Sequence, residues 1–287
     1  MIGPFVGVLF DGFAYGMLLF LLSVGLSVTL GMMNFINLAH CAFGMLGGYV
    51  TVTLIDRMGW PFFATLPAAF LAAAAMAVFL ERALYRRLYR ASELDQCLLT
   101  IGIVFMSVAA AAYVWGTVQQ PVELPAYLEG SVVVAGVNFA KYRLFLVGTA
   151  LAITFVLVAV LEWTRFGAQV RAAVDNQRMA RGLGIHVDRA FAITFALGGG
   201  LAGLGGSLAI AMVGLDPAFA FTYLVYVLIV VAVGGLGSIG GSFAAATVLG
   251  ISDVAGKYYV PQLGAFLIYL VMVGILMWRP AGLFGKR

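Results

Sequence analysis

Gly31-Met-Met-Asn34-Phe-Ile-Asn37-Leu-Ala-His40-Cys-Ala-Phe-Gly44 interrupts an otherwise nearly unbroken apolar run from Phe5 to Ile55. Nowhere else in that run do three strongly polar side chains fall so close together. In water the stretch would be an ordinary loop. In hydrocarbon every unpaired amide or imidazole is expensive, so polar groups there need partners or a wet cavity. How these residues are read depends on whether the chain lies in a membrane.

Composition answers that question. Hydrophobic residues make up 63% of the chain and charged residues 10%, with a mean hydropathy of +1.07. A soluble domain carries about 25% charged residues. Several stretches run for roughly 18 residues or more without a charge, long enough to cross a bilayer as helix. The short alternating segments of a β-barrel are absent. The expected fold is an all-α polytopic membrane protein, one transmembrane domain over 1–287. The net charge of +4 comes from basic clusters between apolar runs, which orient spans in a membrane and do not point to nucleic acid. Cys41 and Cys97 offer neither a disulfide framework nor metal-ligand spacing. Met1–Leu30 lacks a basic n-region and a small-residue cleavage site, so it reads as a retained first span.

About nine apolar segments follow one another, near 6–30, 35–55, 61–80, 97–116, 142–162, 190–213, 221–234, 238–256 and 262–278. The pair 221–234 and 238–256 is separated only by a glycine-rich turn, so a count of eight, with one broken element, is the alternative. Basic residues cluster at Arg82, Arg86, Arg87 and Arg90, at Arg165, Arg171, Arg178, Arg181 and Arg189, and at Arg279, Lys286 and Arg287. The positive-inside rule puts all three clusters in the cytoplasm. Parity then expects the N-terminus outside and the C-terminus cytoplasmic, which favours counting the pair separately. On this topology 117–141 is an outer loop, with a short strand pair at Gly130–Asn138. Gly214–Phe219 is a second outer turn, and 165–189 is the longest inner loop. The glycine-and-polar breaks GMMNFINLAH and GGLGSIGGSF, each followed by an Ala/Gly-rich helix, resemble the paired interruptions that mark a transport site.

Enzyme motifs fail their context tests. Gly256-Lys257 is followed by Tyr258, and position 251 is Ile, so there is no P-loop for ATP. GxGxxG occurs at Gly198/Gly200/Gly203 and Gly235/Gly237/Gly240, but neither follows a soluble strand. Small-residue helix packing explains them better, with Gly199, Gly203, Gly235, Gly237 and Gly240 as close-approach positions. His40 and His186 stand far apart in sequence, and no cofactor or metal is expected. Asn34, Asn37 and His40, spaced i, i+3, i+6, leave two readings open. They line a passage, or Asn34 or Asn37 caps the second helix while His40 bonds a carbonyl. Asp253 and Lys257 read as a surface ion pair at i, i+4, and Asp11 as a solvated carboxylate near the outer interface. In the inner loop, Val170–Val174 and Asp175–Arg181 read as short helices, the second with Asp175 near its start and Gly182 or Gly184 as its stop. Leu183 and Ile185 give it an apolar edge suited to a partner's groove.

The run Gly31–Gly44 resembles the GxxNFxxLAHG signature of LivH-type permeases of bacterial branched-chain amino-acid ABC transporters. VRAAVDNQRMARGLGIHVDRAFAITFALGGGLAGLGG, GGLGSIGGSF and the closing WRPAGLFG are similar to that family too, and together they cover nearly the whole chain. Cys41 departs from it, standing where the family often has Gly. The resemblance implies a permease subunit in a bacterial inner membrane. It also implies a homologous second permease subunit, two cytoplasmic ATP-binding subunits that hold the ATP, and a periplasmic substrate-binding protein. Asn34, Asn37 and His40 are then expected in the translocation pathway. Arg171, Asp175, Arg178, Met179, Arg181 and Gly184 are expected in ATPase coupling. Relatives handle urea, short amides or aromatic acids as well as Leu, Ile and Val. A stand-alone secondary transporter or channel is the reading of another class; it would call for intramembrane acidic or basic groups for ion coupling.

Overall fold

The computed structural model describes residues 2–33, 35–89, 91–122, 124–134 and 136–285. Asn34, Arg90, Lys286 and Arg287, named above, lie outside the described residues.

The apolar segments fold as helices: α1 (Ile2–Met33), α2 (His40–Met58), α3 (Phe62–Leu80), α5 (Glu93–Trp115), α6 (Lys141–Trp163), α9 (Val187–Val213), α10 (Phe219–Gly234), α11 (Ile239–Tyr259) and α12 (Gly264–Trp278). α3 continues through a π-helical turn, Glu81–Tyr85, into the short α4 (Arg86–Leu88). The inner loop supplies α7 (Arg165–Asp175) and α8 (Gln177–Gly182). The expected strand pair is present as β1 (Ser131–Val134) and β2 (Val137–Ala140), antiparallel, with Ser131 opposite Ala140. Among the described residues six helices are long and apolar enough to cross a membrane, including Gly3–Gly31, Phe62–Leu88 and Val187–Val213, and α10 and α12 are shorter apolar helices. The chain is therefore an all-α polytopic membrane protein with a small β ribbon.

The apolar helices point alternately toward two ends of the bundle, with α2 starting partway along it. One end gathers the ribbon, where Phe139 meets Phe10, the Arg143–Asp11 ion pair between α6 and α1, and the backbone bridge from Gln120 to Leu215. The other gathers α7, α8, Met33, Tyr89 and the C-terminal tail. That tail folds back on the α10–α11 turn, where Leu283 N–H donates to Val233 O at 2.7 Å and Phe284 N–H to Gly234 O at 3.2 Å.

Helices pack this closely because small residues stand where they cross. α9 is the hub. Gly198 meets Gly25 of α1, Gly199 and Gly203 meet Ala77 and Ala73 of α3, and a Cβ on Gly206 would overlap the Gly44 carbonyl of α2. Gly12 and Gly16 of α1 sit against Gly250 and Ala246 of α11 in the same way. Hydroxyl pairs add directionality: Thr51 Oγ1 donates to Ser207 Oγ at 2.8 Å, and Ser242 Oγ to Ser27 Oγ at 2.9 Å.

The turn between α10 and α11 separates two distinct helices. Gly235 and Gly237 both have positive φ, 95° and 78°, and the backbone of Gly237 touches that of Gly31, so the two glycine-and-polar breaks meet. Gly240 does not belong with the packing glycines: nothing stands within 4 Å of a Cβ built there, and it is Gly241 that meets the Gly234 carbonyl. Asp253 and Lys257 do pair, at 2.6 Å, but not on the surface. Asp253 is buried with Oδ1 unpartnered, because α11 turns this face inward, while Lys257 is half-exposed over the Tyr15 ring.

Candidate functional site

The interruption after α1 is an extended climb, not a helix. Phe35–Asn37 are irregular, Leu38 and Ala39 turn, and α2 starts at His40. His40 Nε2 lies 3.1 Å from the Leu22 carbonyl. A carbonyl only accepts, so Nε2 carries the proton. Leu22 stands eleven residues before Met33, about 16 Å along α1 at 1.5 Å per residue. α2 therefore begins deep in the bundle, with the positive end of its dipole there.

Ala39, at the N-cap of α2, offers no side-chain bond. Asn37 does that work from two residues upstream: its Oδ1 accepts the Ala39 N–H at 3.1 Å. This bond also fixes which amide atom is which, leaving Nδ2 buried with no partner. Asn37 is 1% exposed. An unsatisfied buried donor costs about 1–3 kcal/mol. Of the three polar positions read from the sequence, the structure thus brings Asn37 and His40 together at the base of α2.

Two residues that sequence reasoning missed hold this run in place. Gln96 Oε1 accepts the Ile36 N–H at 3.1 Å while its Nε2 donates to Leu88 O at 3.2 Å. Phe35 packs its ring against Tyr85 at 5.1 Å, Tyr89 at 5.6 Å and Phe195 at 6.2 Å. Tyr89 in turn donates to Glu81 Oε1 at 2.9 Å across the π turn. Burial first, and then the Glu81 carboxylate, push the Tyr89 phenol upward, so it stays a neutral donor. A polar residue in the first turn of α5 and an aromatic one next to an Asn were the only sequence signals.

The inner loop is folded onto the same cluster. Ala173 of α7 and Ala180 of α8 form a small core with Val187 and Phe191, against which Met33, Tyr89 and Ile185 pack. Ile185 is thus spent inside the molecule, and the outward apolar edge is Met179 with Leu183, 64% and 78% exposed. The cap of α8 is Asn176, whose Oδ1 accepts the Met179 N–H at 3.0 Å, and not Asp175, which ends α7. Asn176 is extended, as an N-cap must be, whereas Asp175 is still helical. Gly184 ends the turn with φ 83°, and Ile185 N–H reaches back to Ala180 O at 3.0 Å. Arg171 donates to Leu161 O at the end of α6, so it clasps two helices together. Arg181 pairs with Asp188 at 3.0 Å, and the other Asp188 oxygen pairs with Arg86. Arg178 is exposed in the first turn of α8.

Comparison with known proteins gives this geometry a lineage. The chain is 27% identical to the high-affinity branched-chain amino acid transport system permease protein LivH of Escherichia coli (strain K12), over 98% of this chain and 96% of that one. It is 26% identical to a probable branched-chain amino acid transport permease protein LivH of Methanocaldococcus jannaschii, over 94% and 90%. It is 24% identical to the permease protein BraD of Pseudomonas aeruginosa, over 97% and 95%. No solved structure matches. The family model described as "Branched-chain amino acid transport system / permease component" matches residues 8–276, and the chain belongs to that family.

Proposed function

We propose that this chain is one of the two membrane subunits of an ATP-driven importer of branched-chain or related amino acids in a bacterial inner membrane, and that it crosses that membrane nine times. The alternation of the nine apolar helices supports the count. So does charge. Among the described residues the α7–α8 end carries Arg82, Arg86, Arg87, Arg165, Arg171, Arg178, Arg181, Arg189 and Arg279. The ribbon end carries Arg57, Lys141, Arg143 and Lys257. The first end is then cytoplasmic, with the N-terminus outside and the C-terminus inside. ATP is held by two cytoplasmic ATPase subunits, and a periplasmic binding protein docks on the ribbon end.

One observation carries the reading: the inner loop and the Asn37 run share a continuous packed path, from Ala180 through Tyr89 to Phe35. Closure of the ATPase dimer pushes on Met179 and Leu183. The α7–α8 unit transmits the push because its other face is already buried. Phe35 and Gln96 pass it to the base of α2, where the Asn37 amide and His40 line part of the route. The free Nδ2–H of Asn37 and the dipole of α2 favour a substrate carboxylate in passing. Contacts of this kind are weak enough to release the substrate, and specificity resides mainly in the binding protein.

The test is leucine uptake into vesicles holding the assembled complex. Uptake driven by ATP, with no response to an ion gradient, is expected. Uptake driven by a gradient without ATP would favour the stand-alone transporter, for which the buried Asp253 and Glu81 are the candidate ion-coupling groups. Urea, amides and aromatic acids are the alternative substrates, read out by the ligand of the binding protein.

A further inference from the structure

A second feature lies on the opposite side of α2 from its packing with α9. There α2, α3 and α5 do not close on one another and leave a slot of about 340 Å³. It runs from Ala39 and Leu84 at one end to Tyr49 and Trp115 at the other. Ala39 to Tyr49 spans ten residues of α2, about 15 Å at 1.5 Å per residue. Half of a hydrocarbon core about 30 Å thick is also about 15 Å. The slot has the depth of one leaflet. Its side is open to the bundle surface, where the lining residue Met106 is 73% exposed.

The lining decides what fits. It is apolar apart from three side chains, and two of these are already satisfied. Ser107 Oγ donates to Ile103 O at 2.8 Å, and Trp115 Nε1 to Thr53 Oγ1 at 2.9 Å. Tyr49, stacked on Trp115 at 4.5 Å, has a buried hydroxyl with no partner. A zwitterionic amino acid in this slot would leave both its charges unpaired in hydrocarbon, a cost of several kcal/mol or more. A lipid chain leaves nothing unpaired, and its ester carbonyl would accept the orphan hydroxyl at the end where α5 stops. We propose that the slot is a binding site for one acyl chain of an outer-leaflet phospholipid. The chain fills the gap between α5 and the α2–α3 wall, and Tyr49 anchors its ester. The substrate route therefore lies elsewhere, on the Asn37 side of the run.

The experiment is native mass spectrometry of the assembled permease complex in mild detergent, after washing that strips loosely held lipid. One retained phospholipid per copy of this chain is expected. Ala110→Phe, which adds bulk from the open wall, should abolish its retention. Tyr49→Phe keeps the stack on Trp115 and removes only the hydroxyl, and should lower retention severalfold. Millimolar L-leucine should leave retention unchanged. Retention that is the same in Ala110→Phe as in the parent would overturn the proposal, as would displacement of the lipid by leucine. So would an efficient disulfide between a cysteine at Met106 and a helix of the second permease subunit. Loss of ATP-driven leucine uptake would bear on the transport function alone, since lipid retention is read without turnover.

Discussion

Gln96 Oε1 accepts the backbone N–H of Ile36 at 3.1 Å, across sixty residues of sequence. The same side chain donates to Leu88 O. A single buried amide therefore satisfies one backbone group in the extended run and one at the end of α4. Asn37 closes the local bonds at the C-terminal end of the run, to the N–H groups of Ala39 and His40, and the Gln96 bond and the Phe35 ring stack tie its start to α4 and α5.

Gln96→Leu should leave the Ile36 N–H unpaired, while Leu88 O keeps its bond from the Ala91 N–H at 3.0 Å. The expected loss is about 1–3 kcal/mol, the cost of one orphaned buried donor. Thermal unfolding of the detergent-solubilised protein measures it. A change under about 0.5 kcal/mol would mean that the start of the run is held by Phe35 alone.

Asn37→Leu removes both the bond to the Ala39 N–H and the free Nδ2. Losing a cap of this kind costs about 1 kcal/mol, too little to prevent assembly. Uptake should nevertheless fall tenfold or more. Normal uptake with normal assembly would reduce Asn37 to a turn residue.

Met179→Ser combined with Leu183→Ser alters only exposed side chains. Stability should stay within about 0.5 kcal/mol, while the ATPase subunits no longer co-purify. Ala180→Asp, one residue from Met179, should instead disrupt the small core that holds α8 to α9, because it buries a carboxylate. Proteolysis of the loop distinguishes the two outcomes.

Asp188→Asn breaks the pairs to Arg86 and Arg181. All three side chains are about half exposed, so the stability loss should stay below about 1 kcal/mol and shrink at high salt. The expected effect is on coupling: ATP hydrolysis continues while leucine taken up per ATP falls. An unchanged ratio would assign Asp188 to the surface.

Gly203→Ala and Gly240→Ala should differ in sign. A Cβ at Gly203 lands on Ala73 and the Ala69 carbonyl, so α9 must move off α3, with a loss of several kcal/mol or failure to assemble. Gly240 stands in the first turn of α11 with open space around an added Cβ, and alanine should stabilise by up to about 0.5 kcal/mol, less than in a helix interior. Melting temperatures of the two variants test the assignment.

Much of this architecture was legible in the sequence. Nine apolar stretches became nine helices, and the Gly130–Asn138 turn signals became a two-stranded ribbon. The glycine spacing of α9 announced close packing, since Gly199 and Gly203 lie one turn apart on one face. Gly240 shows the limit of that reasoning. A motif match says nothing about which glycine faces a neighbour, and the face is set by where α11 meets α10. Asp253 makes the same point for charge: an i, i+4 pair reads alike on a buried face and an exposed one.

Sequence by itself determined the class of the protein, the order of its elements and the place of the break at Asn34–His40. These follow from local chemistry: apolar length fits a bilayer, and polar residues within it demand an account. Only the tertiary structure decided how deep the break lies, what supports it and how the inner loop reaches it. The His40 bond to Leu22, the Gln96 bond to Ile36 and the Phe35–Tyr89 contact each join residues from eighteen to sixty positions apart. No local pattern encodes such pairings, because they exist only once α1, α5 and the end of α4 have packed around the run.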